Sequence, residues 1–349
     1  MMLRNYLLAL LLISCCTCSK KSSNTTNPPV VSDTTFTNPI LSSGPDPWVI
    51  QKDTNYYYTN TFGNRIALYK TSKMSELKNA TPVTVWSPPT GTAYSKDIWA
   101  PEMHFLQNKW YIYFAADDGN NSTHRIYVLE NANGDPLSSN WVLKGKMSDP
   151  SDKWAIDASI FEYNSQLYAT WSGWEGDVDG QQNIYAAKLS NPWTITGNRS
   201  LISSPTYAWE KNGAPPTVNE GPEILKNVNG KIFLIFSASG CWSDDYSLGM
   251  LTLKDGGDPL NAADWTKSPN PVFTKSPGNG AFGPGHPGFF KSRDGKEDWI
   301  IYHANNFTGQ GCGDTRNPRM QKFTWNADGT PNFGEPVKIN FPIRKPGGE

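Results

Sequence analysis

Three carboxylates stand at comparable points of a recurring pattern. They are Asp46 in Gly44-Pro45-Asp46-Pro47-Trp48, Asp157 in Ile156-Asp157-Ala158-Ser159, and Glu220 in Asn219-Glu220-Gly221-Pro222. Carboxyl groups in pairs hydrolyse glycosidic bonds: a protonated one assists the leaving oxygen, and an ionised one takes a proton from water. A third carboxylate nearby raises its neighbour's pKa by like charge and so sorts the two protonation states. His286, in Gly283-Pro284-Gly285-His286, falls at the same point of a further repeat. Each residue alone has a plainer reading. Asp46 between prolines suits a turn. Asp157 suits a strand end where it satisfies backbone N–H groups. Glu220 before Gly221-Pro222 suits an exposed surface. Their joint recurrence is what favours a site. Two-residue alternation places Glu102 and Glu223 deeper or on another face, and Asp97, Asp117 and Asp118 fall in loops.

Acids this far apart in sequence meet only if a repeating fold gathers them. Five segments share one grammar: a Pro- or Gly-marked entry, an apolar run, a turn, and an aromatic-rich run. The turns are Lys52-Asp53-Thr54-Asn55, Gln107-Asn108-Lys109, Tyr163-Asn164-Ser165, Val228-Asn229-Gly230 and Arg293-Asp294-Gly295. Each segment reads as a β-hairpin. Entry points at 46, about 100, 157, 220 and 286 give a period of about 54 to 66 residues, close to that of propeller blades with loops. An all-β, five-bladed β-propeller over 37–349 is the expected fold. A β-sandwich accounts for the strands but not for the fivefold recurrence. In a propeller the entry strands line a central channel, which would bring the three acids to one mouth.

The composition narrows the partner. Net charge is −1 and no basic run occurs, which removes the electrostatic footprint of a nucleic-acid binder. Aromatic residues make up 13%, with Trp 14, Tyr 15 and Phe 15, and aromatic rings cover the apolar C–H faces of neutral sugars. At the N-terminus, Arg4 and the apolar run Leu7 to Ile13 read as an export signal too short to span a bilayer. Leu12-Ile13-Ser14-Cys15 resembles a lipoprotein signal, with Cys18 a rival to Cys15 as the lipidated residue. The expected divisions are a signal peptide over 1–18 and a solvated tether over 19–36. The chain is then exported and lipid-anchored in a bacterial envelope, periplasmic or at the surface, and touches membrane only through that anchor. An ordinary secretory signal is the alternative. Cys241 and Cys312 remain for the folded part; an oxidising compartment permits them to pair, and two buried thiols are the alternative.

The same motifs resemble glycoside hydrolase family 43. The markers are Pro45-Asp46-Pro47-Trp48, Ile98-Trp99-Ala100-Pro101-Glu102, Ile156-Asp157-Ala158-Ser159, Asn219-Glu220-Gly221-Pro222 and Gly283-Pro284-Gly285-His286, in order and at blade spacing. The resemblance implies an inverting mechanism with Asp46 as general base, Glu220 as general acid, and Asp157 orienting Glu220 and tuning its pKa. It also implies that His286 helps to hold a metal ion, often calcium, in the channel within a largely water shell. Pro287-Gly288 departs from the small polar pair that usually follows this histidine.

For substrate, Trp99 is expected beside the pocket, with blade core as its alternative, and Asn219 is expected to touch the sugar. The segment Cys312-Gly313-Asp314-Thr315-Arg316-Asn317-Pro318-Arg319 resembles the last blade of exo-acting α-L-arabinofuranosidases. Arg319, just before the last strand, is the first choice to bind the sugar and Arg316 the second; a surface salt bridge is the plainer role for either. The expected activity is release of terminal α-L-arabinofuranosyl residues from arabinan- or arabinoxylan-type polysaccharides. A β-D-xylosidase and a non-catalytic carbohydrate-binding propeller are the alternatives.

Overall fold

Apolar runs separated by turn signals form antiparallel strands throughout the computed structural model, which describes residues 33–349. The expected signal peptide over 1–18 and the tether up to residue 32 lie outside the described residues. Thr35–Phe36, at the end of the expected tether, instead form a strand paired with Ile343–Arg344, and Phe36 is buried. The folded part therefore starts before the expected boundary at 37.

Five four-stranded antiparallel sheets follow in sequence order. The first contains Trp48–Lys52, Asn55–Thr59, Ile66–Thr71 and Val83–Trp86. The second contains Lys96–Leu106, Lys109–Asp117, Arg125–Asn131 and Val142–Met147. The third contains Ala155–Tyr163, Gln166–Trp174, Gln181–Asn191 and Thr194–Ser203. The fourth contains Thr217–Lys226, Ile232–Ala238, Ser247–Leu253 and Trp265–Lys267. The fifth contains Phe282–Lys291, Asp298–Asn305, Asn317–Trp325 and Pro331–Asn332. A short parallel pairing of Gln181–Gln182 with Thr217–Val218 links the third and fourth. Among the described residues helix is confined to short 3-10 turns, of which Met74–Asn79 is the longest. Among the described residues no helix is long and apolar enough to cross a membrane.

The first strands of the sheets touch in a cycle: first to second, second to third, third to fourth, fourth to fifth, and fifth back to first. Among the described residues the core repeats that cycle, with a large apolar cluster between each neighbouring pair of sheets and a smaller one, around Trp154 and Trp174, also between the second and third. Each sheet is thus buried on both faces, which explains why its strands read as unbroken aromatic runs. In Trp110–Phe114, for instance, Trp110, Ile112 and Phe114 pack toward the first sheet, while Tyr111 and Tyr113 pack toward the third. Burying a side chain of this size stabilises by about 1.5–3 kcal/mol.

The segment after the N-terminal strand completes the cycle. Asn38 is fully buried and mimics a strand partner: its Nδ2 donates to Met320 O at 2.9 Å and its Oδ1 accepts from Met320 N at 3.0 Å. Ile40 N donates to Pro318 O at 2.9 Å and Gly44 N to Arg316 O at 3.0 Å. The chain entering the first sheet is therefore pinned along the fifth. Asn38→Ala leaves a buried N–H and a buried C=O of Met320 without partners, a cost of about 1–3 kcal/mol. Denaturant unfolding is expected to show that loss of stability with little change in turnover by the folded protein.

Candidate active site

At the head of every first strand the same backbone irregularity occurs. Asp46, Ala100, Asp157, Gly221 and His286 all have positive φ, of 55°, 43°, 57°, 53° and 53°. In the second to fifth sheets this residue and the next face one residue of the neighbouring strand: 100–101 opposite 114, 157–158 opposite 171, 221–222 opposite 236, and 286–287 opposite 302. In the first sheet, Thr61 N donates to Pro45 O and Trp48 pairs Thr59, which leaves 46–47 opposite Asn60. Such a bulge skips a ladder hydrogen bond and re-aims a side chain. It also tolerates a residue with no N–H, which is why Pro47, Pro101, Pro222 and Pro287 follow four of the five.

The bulges correct one expectation. Asp46 and Asp157 are equivalent, but Gly221, not Glu220, is their counterpart in the fourth sheet. Glu220 stands one residue earlier, level with Trp99 and Ile156. Glycine takes the left-handed position there at no steric cost, and Glu220 keeps extended geometry.

The heads of the first strands and the loops between second and third strands lie at the same end of an antiparallel sheet. Together they enclose a cavity of about 450 Å³ lined by Asp46, Asp157, Glu220, His286, Trp99 and Arg316, with Thr61, Trp154 and Trp242 among its other walls. An adjoining cavity of about 490 Å³ shares Thr61, Trp99 and Arg316. A third, at the opposite end of the sheets, is lined by the turns around Asn227, Asp255 and Asp328 and contains none of the expected site residues.

Asp46 is the most tightly held acid. Its Oδ1 lies 2.9 Å from Arg316 Nη1, and its Oδ2 accepts from the Thr61 hydroxyl at 2.7 Å. Thr61 Oγ in turn accepts from Ala100 N at 2.7 Å, which fixes the direction of its proton. Asp46 N donates to His303 Nδ1 at 3.0 Å. Burial alone would raise the pKa of Asp46, but Arg316, His286, His303 and the Thr61 hydrogen bond together hold it well below the usual carboxylate range. Asp46 is thus the ionised group.

Glu220 is the opposite case. Burial, reinforced by the charge of Asp46, pushes its pKa up to about 7, although a hydrogen bond from Tyr246 and the charge of Arg316 oppose the rise. Asp157 Oδ2 accepts from Gly221 N at 3.0 Å, so it anchors the peptide next to Glu220. Burial first, then the charges of Glu220 and Asp46, raise Asp157 well above its ordinary value. The orienting role expected of Asp157 has a visible contact, whereas the sorting expected from like charge is mostly the work of burial.

The remaining expected residues divide. Trp99 lines the cavity and stacks on His124 with ring centres 4.1 Å apart. Arg316 reaches Asp46. Arg319, the first choice from sequence, does not reach the cavity. It is fully buried, donating to Asn317 Oδ1 at 2.9 Å, Asn305 O at 3.0 Å and Asn306 Oδ1 at 2.8 Å. Strand alternation turns Arg319 into the fifth sheet, while Arg316 precedes the strand on a loop that can reach inward. Asn219 also faces away: its amide donates to Glu210 Oε1 at 3.1 Å, and Lys267 approaches its Oδ1 at 3.4 Å. One step along the strand from Glu220, it must point to the other face.

Sequence reasoning missed Thr61, His303, Tyr246, Trp154 and Trp242. Trp154 had a signal, since it stands three residues before Asp157 at the start of a strand. Trp242 had one as well, adjacent to Cys241. Cys241 and Cys312 form a disulfide with Cα atoms 5.2 Å apart. It ties the loop bearing Trp242 to the loop bearing Arg316. Asp244 adds hydrogen bonds across the same two loops, from the Thr308 hydroxyl and from Gly309 N at 2.9 Å.

A metal finds little support from side chains. Calcium takes six to eight oxygen ligands. His286 offers a nitrogen, with Nδ1 3.5 Å from Asp46 Oδ1. Among the described residues no group of three or more His, Cys, Asp or Glu side chains is placed to hold a metal ion. These residues do not fit a calcium ion held by the protein itself.

A pocket with one carboxyl kept ionised and another kept protonated near neutral pH defines an acid–base hydrolase site of the glycosidase type. The sequence model of glycosyl hydrolases family 43 matches residues 36–331, and this chain belongs to that family. It is 40% identical over 311 residues to an extracellular exo-α-(1→5)-L-arabinofuranosidase of Streptomyces avermitilis, covering 87% of this chain and 64% of the relative. It is 36% identical to the enzyme of the same description from Streptomyces chartreusis, over 78% of this chain and 83% of that one. This chain therefore spans about 64% of the length of the Streptomyces avermitilis relative. The crystal structure of an α-L-arabinofuranosidase from Lactobacillus brevis superposes with a TM-score of 0.82 at 37% identity, covering 88% of this chain and 98% of that one.

These protonation states set a pH profile. With Glu220 as acid and Asp46 as base, hydrolysis would need Glu220 protonated and Asp46 ionised. As pH rises through about 7, Glu220 loses its proton and kcat/KM is expected to fall. On the acid side the fall should come only below the usual carboxylate range, where Asp46 protonates. Arg316→Gln removes a charge that lowers both groups, so both limbs are expected to move to higher pH. A pH series of kcat/KM for the two proteins checks the sign.

Proposed function

We propose that this chain is an inverting, exo-acting α-L-arabinofuranosidase on a five-bladed β-propeller, which removes terminal arabinofuranosyl residues from arabinose-containing oligo- and polysaccharides. The observation that carries the reading is one cavity holding both Asp46, clamped ionised by Arg316 and Thr61, and Glu220, raised to about 7. The cyclic contact of the five first strands supports the five blades. The arabinofuranosidase activity for which the relatives are named supports the sugar.

The reaction balances as follows. Asp46 takes a proton from a water molecule as the water oxygen bonds to the anomeric carbon. The bond from that carbon to the glycosidic oxygen breaks, and Glu220 gives the oxygen its proton. One water is added across the bond; Asp46 ends protonated and Glu220 ionised, and solvent exchange resets both. Trp99 offers a flat apolar face beside the sugar. Walls contributed by all five sheets make the site a pit, which suits a chain end. Trp242, at 44% exposure, stands on its rim.

Export is part of the same reading, supported by the word extracellular in the relatives' names. Lipid anchoring at the cysteines near residue 15 rests on the sequence motif alone. A calcium ion enters only as a water-ligated ion beside His286, to be tested by elemental analysis of the purified protein; no step runs through it.

The test uses 4-nitrophenyl α-L-arabinofuranoside, with the matching β-D-xyloside as comparison. The arabinoside is expected to be the better substrate. Asp46→Asn and Glu220→Gln are each expected to lower its kcat/KM by about 10²–10⁴-fold, the usual contribution of a positioned acid or base. Proton NMR of the first-formed sugar should show the inverted anomer. Retained configuration, or full activity in both variants, would overturn the assignment.

A further inference from the structure

Glu220 has a partner behind it that does not line the cavity. The Tyr246 hydroxyl lies 2.8 Å from Glu220 Oε1, and the tyrosine is buried. Its ring stacks on His303 with centres 5.7 Å apart and planes 10° apart. Room for the ring depends on Gly285, where a Cβ would stand 2.1 Å from Tyr246 Cε1. Ser237 pairs with Glu220 across the ladder. His286 N donates to Ser237 Oγ at 2.8 Å.

The Tyr246–Glu220 bond has one preferred direction. Among the described residues the Tyr246 hydroxyl has Glu220 Oε1 as its acceptor. The reverse order, with Glu220 donating, would leave the buried phenol proton without an acceptor, an arrangement proteins avoid. With Oε1 occupied as an acceptor, the carboxyl proton of Glu220 belongs on Oε2. Among the described residues Oε2 has no hydrogen-bond partner, and Glu220 lines the cavity. Asp46, Asp157 and Arg316 are the other charged or titratable groups that act on this carboxyl or pair with it.

We propose that Tyr246 is a positioning residue for proton donation: its hydroxyl holds Glu220 Oε1 as an acceptor and so presents the transferable proton on Oε2 to the leaving oxygen. The inference rests on the reading of Glu220 as the general acid. In the reaction the Oε2–H bond breaks as the proton joins the departing oxygen, and Tyr246 remains protonated, its hydrogen bond now to a full carboxylate.

The test compares two leaving groups on the same sugar. The 2,4-dinitrophenyl glycoside needs almost no acid assistance, whereas a simple alkyl glycoside needs it fully. Tyr246→Phe is expected to lower kcat about 10- to 100-fold on the alkyl glycoside and less than about 3-fold on the dinitrophenyl glycoside. A loss in Tyr246→Phe that is equal on both substrates, or no loss on either, would show a structural role only and overturn the proposal. Glu220→Gln is the control that separates the two readings. If it too loses equally on both substrates, the assignment of Glu220 as acid fails. If it discriminates between leaving groups and Tyr246→Phe does not, only the role of Tyr246 fails.

Discussion

One left-handed residue at the head of each first strand is the constraint on which the site depends. A non-glycine residue in that conformation costs roughly 1–2 kcal/mol, and four of the five heads carry one. The strain persists because the heads are tied down from outside their own strands. Asp46 is held through its amide by His303 and through its carboxylate by Arg316 and Thr61. His286 is held through its amide by Ser237, and Asp157 through its carboxylate by the amide of Gly221. The bulge turns the head residue away from the ladder, toward the mouth where five strands converge. Without it, alternation along a flat strand would send Asp46 and Asp157 into the packing between sheets.

Asp46 and Glu220 are separated chemically by different means. Both are buried, and burial alone raises each of them. Asp46 escapes because a guanidinium, two imidazoles and a hydroxyl surround it. Glu220 has one hydroxyl and shares the influence of Arg316 at one remove. Arg316 is therefore the electrostatic pivot. Its loop is fixed by the disulfide to the fourth-sheet loop and by the Asp244 bonds to Thr308 and Gly309. A cross-link on the outer rim thereby helps to set the charge state at the bottom of the pit.

A second tier of polar groups lies two residues further along the strands. Glu102, Ser159 and Glu223 occupy equivalent positions there, with Ser159 Oγ donating to Glu223 Oε2 at 2.8 Å and His104 Nε2 lying 3.2 Å from Glu102 Oε2. Burial raises both glutamates well above their ordinary values. They line no part of the cavity that holds Asp46 and Glu220, as two-residue alternation implied. The upper tier faces that cavity, and the lower tier consists of buried, hydrogen-bonded groups.

The hairpins, their spacing and the acids at their heads were legible in the sequence, because backbone periodicity and turn chemistry act over a few residues. The prolines after Asp46, Ala100, Gly221 and His286 even marked the bulges, although their meaning emerged only from the strand register. Side-chain partnerships were not legible. Arg316 and Asp46 are 270 residues apart and meet because the fifth sheet closes on the first. No local rule ranks Arg316 above Arg319; the phase of a strand that begins between them decides it. The same one-residue phase sends Asn219 to the back of the sheet and Glu220 into the pit, and it made Gly221 rather than Glu220 the true counterpart of Asp46. Sequence alone determined which residue types recur and how often. Ring closure and strand phase decided which of them face one another, because those depend on contacts between segments that the chain brings together only when folded.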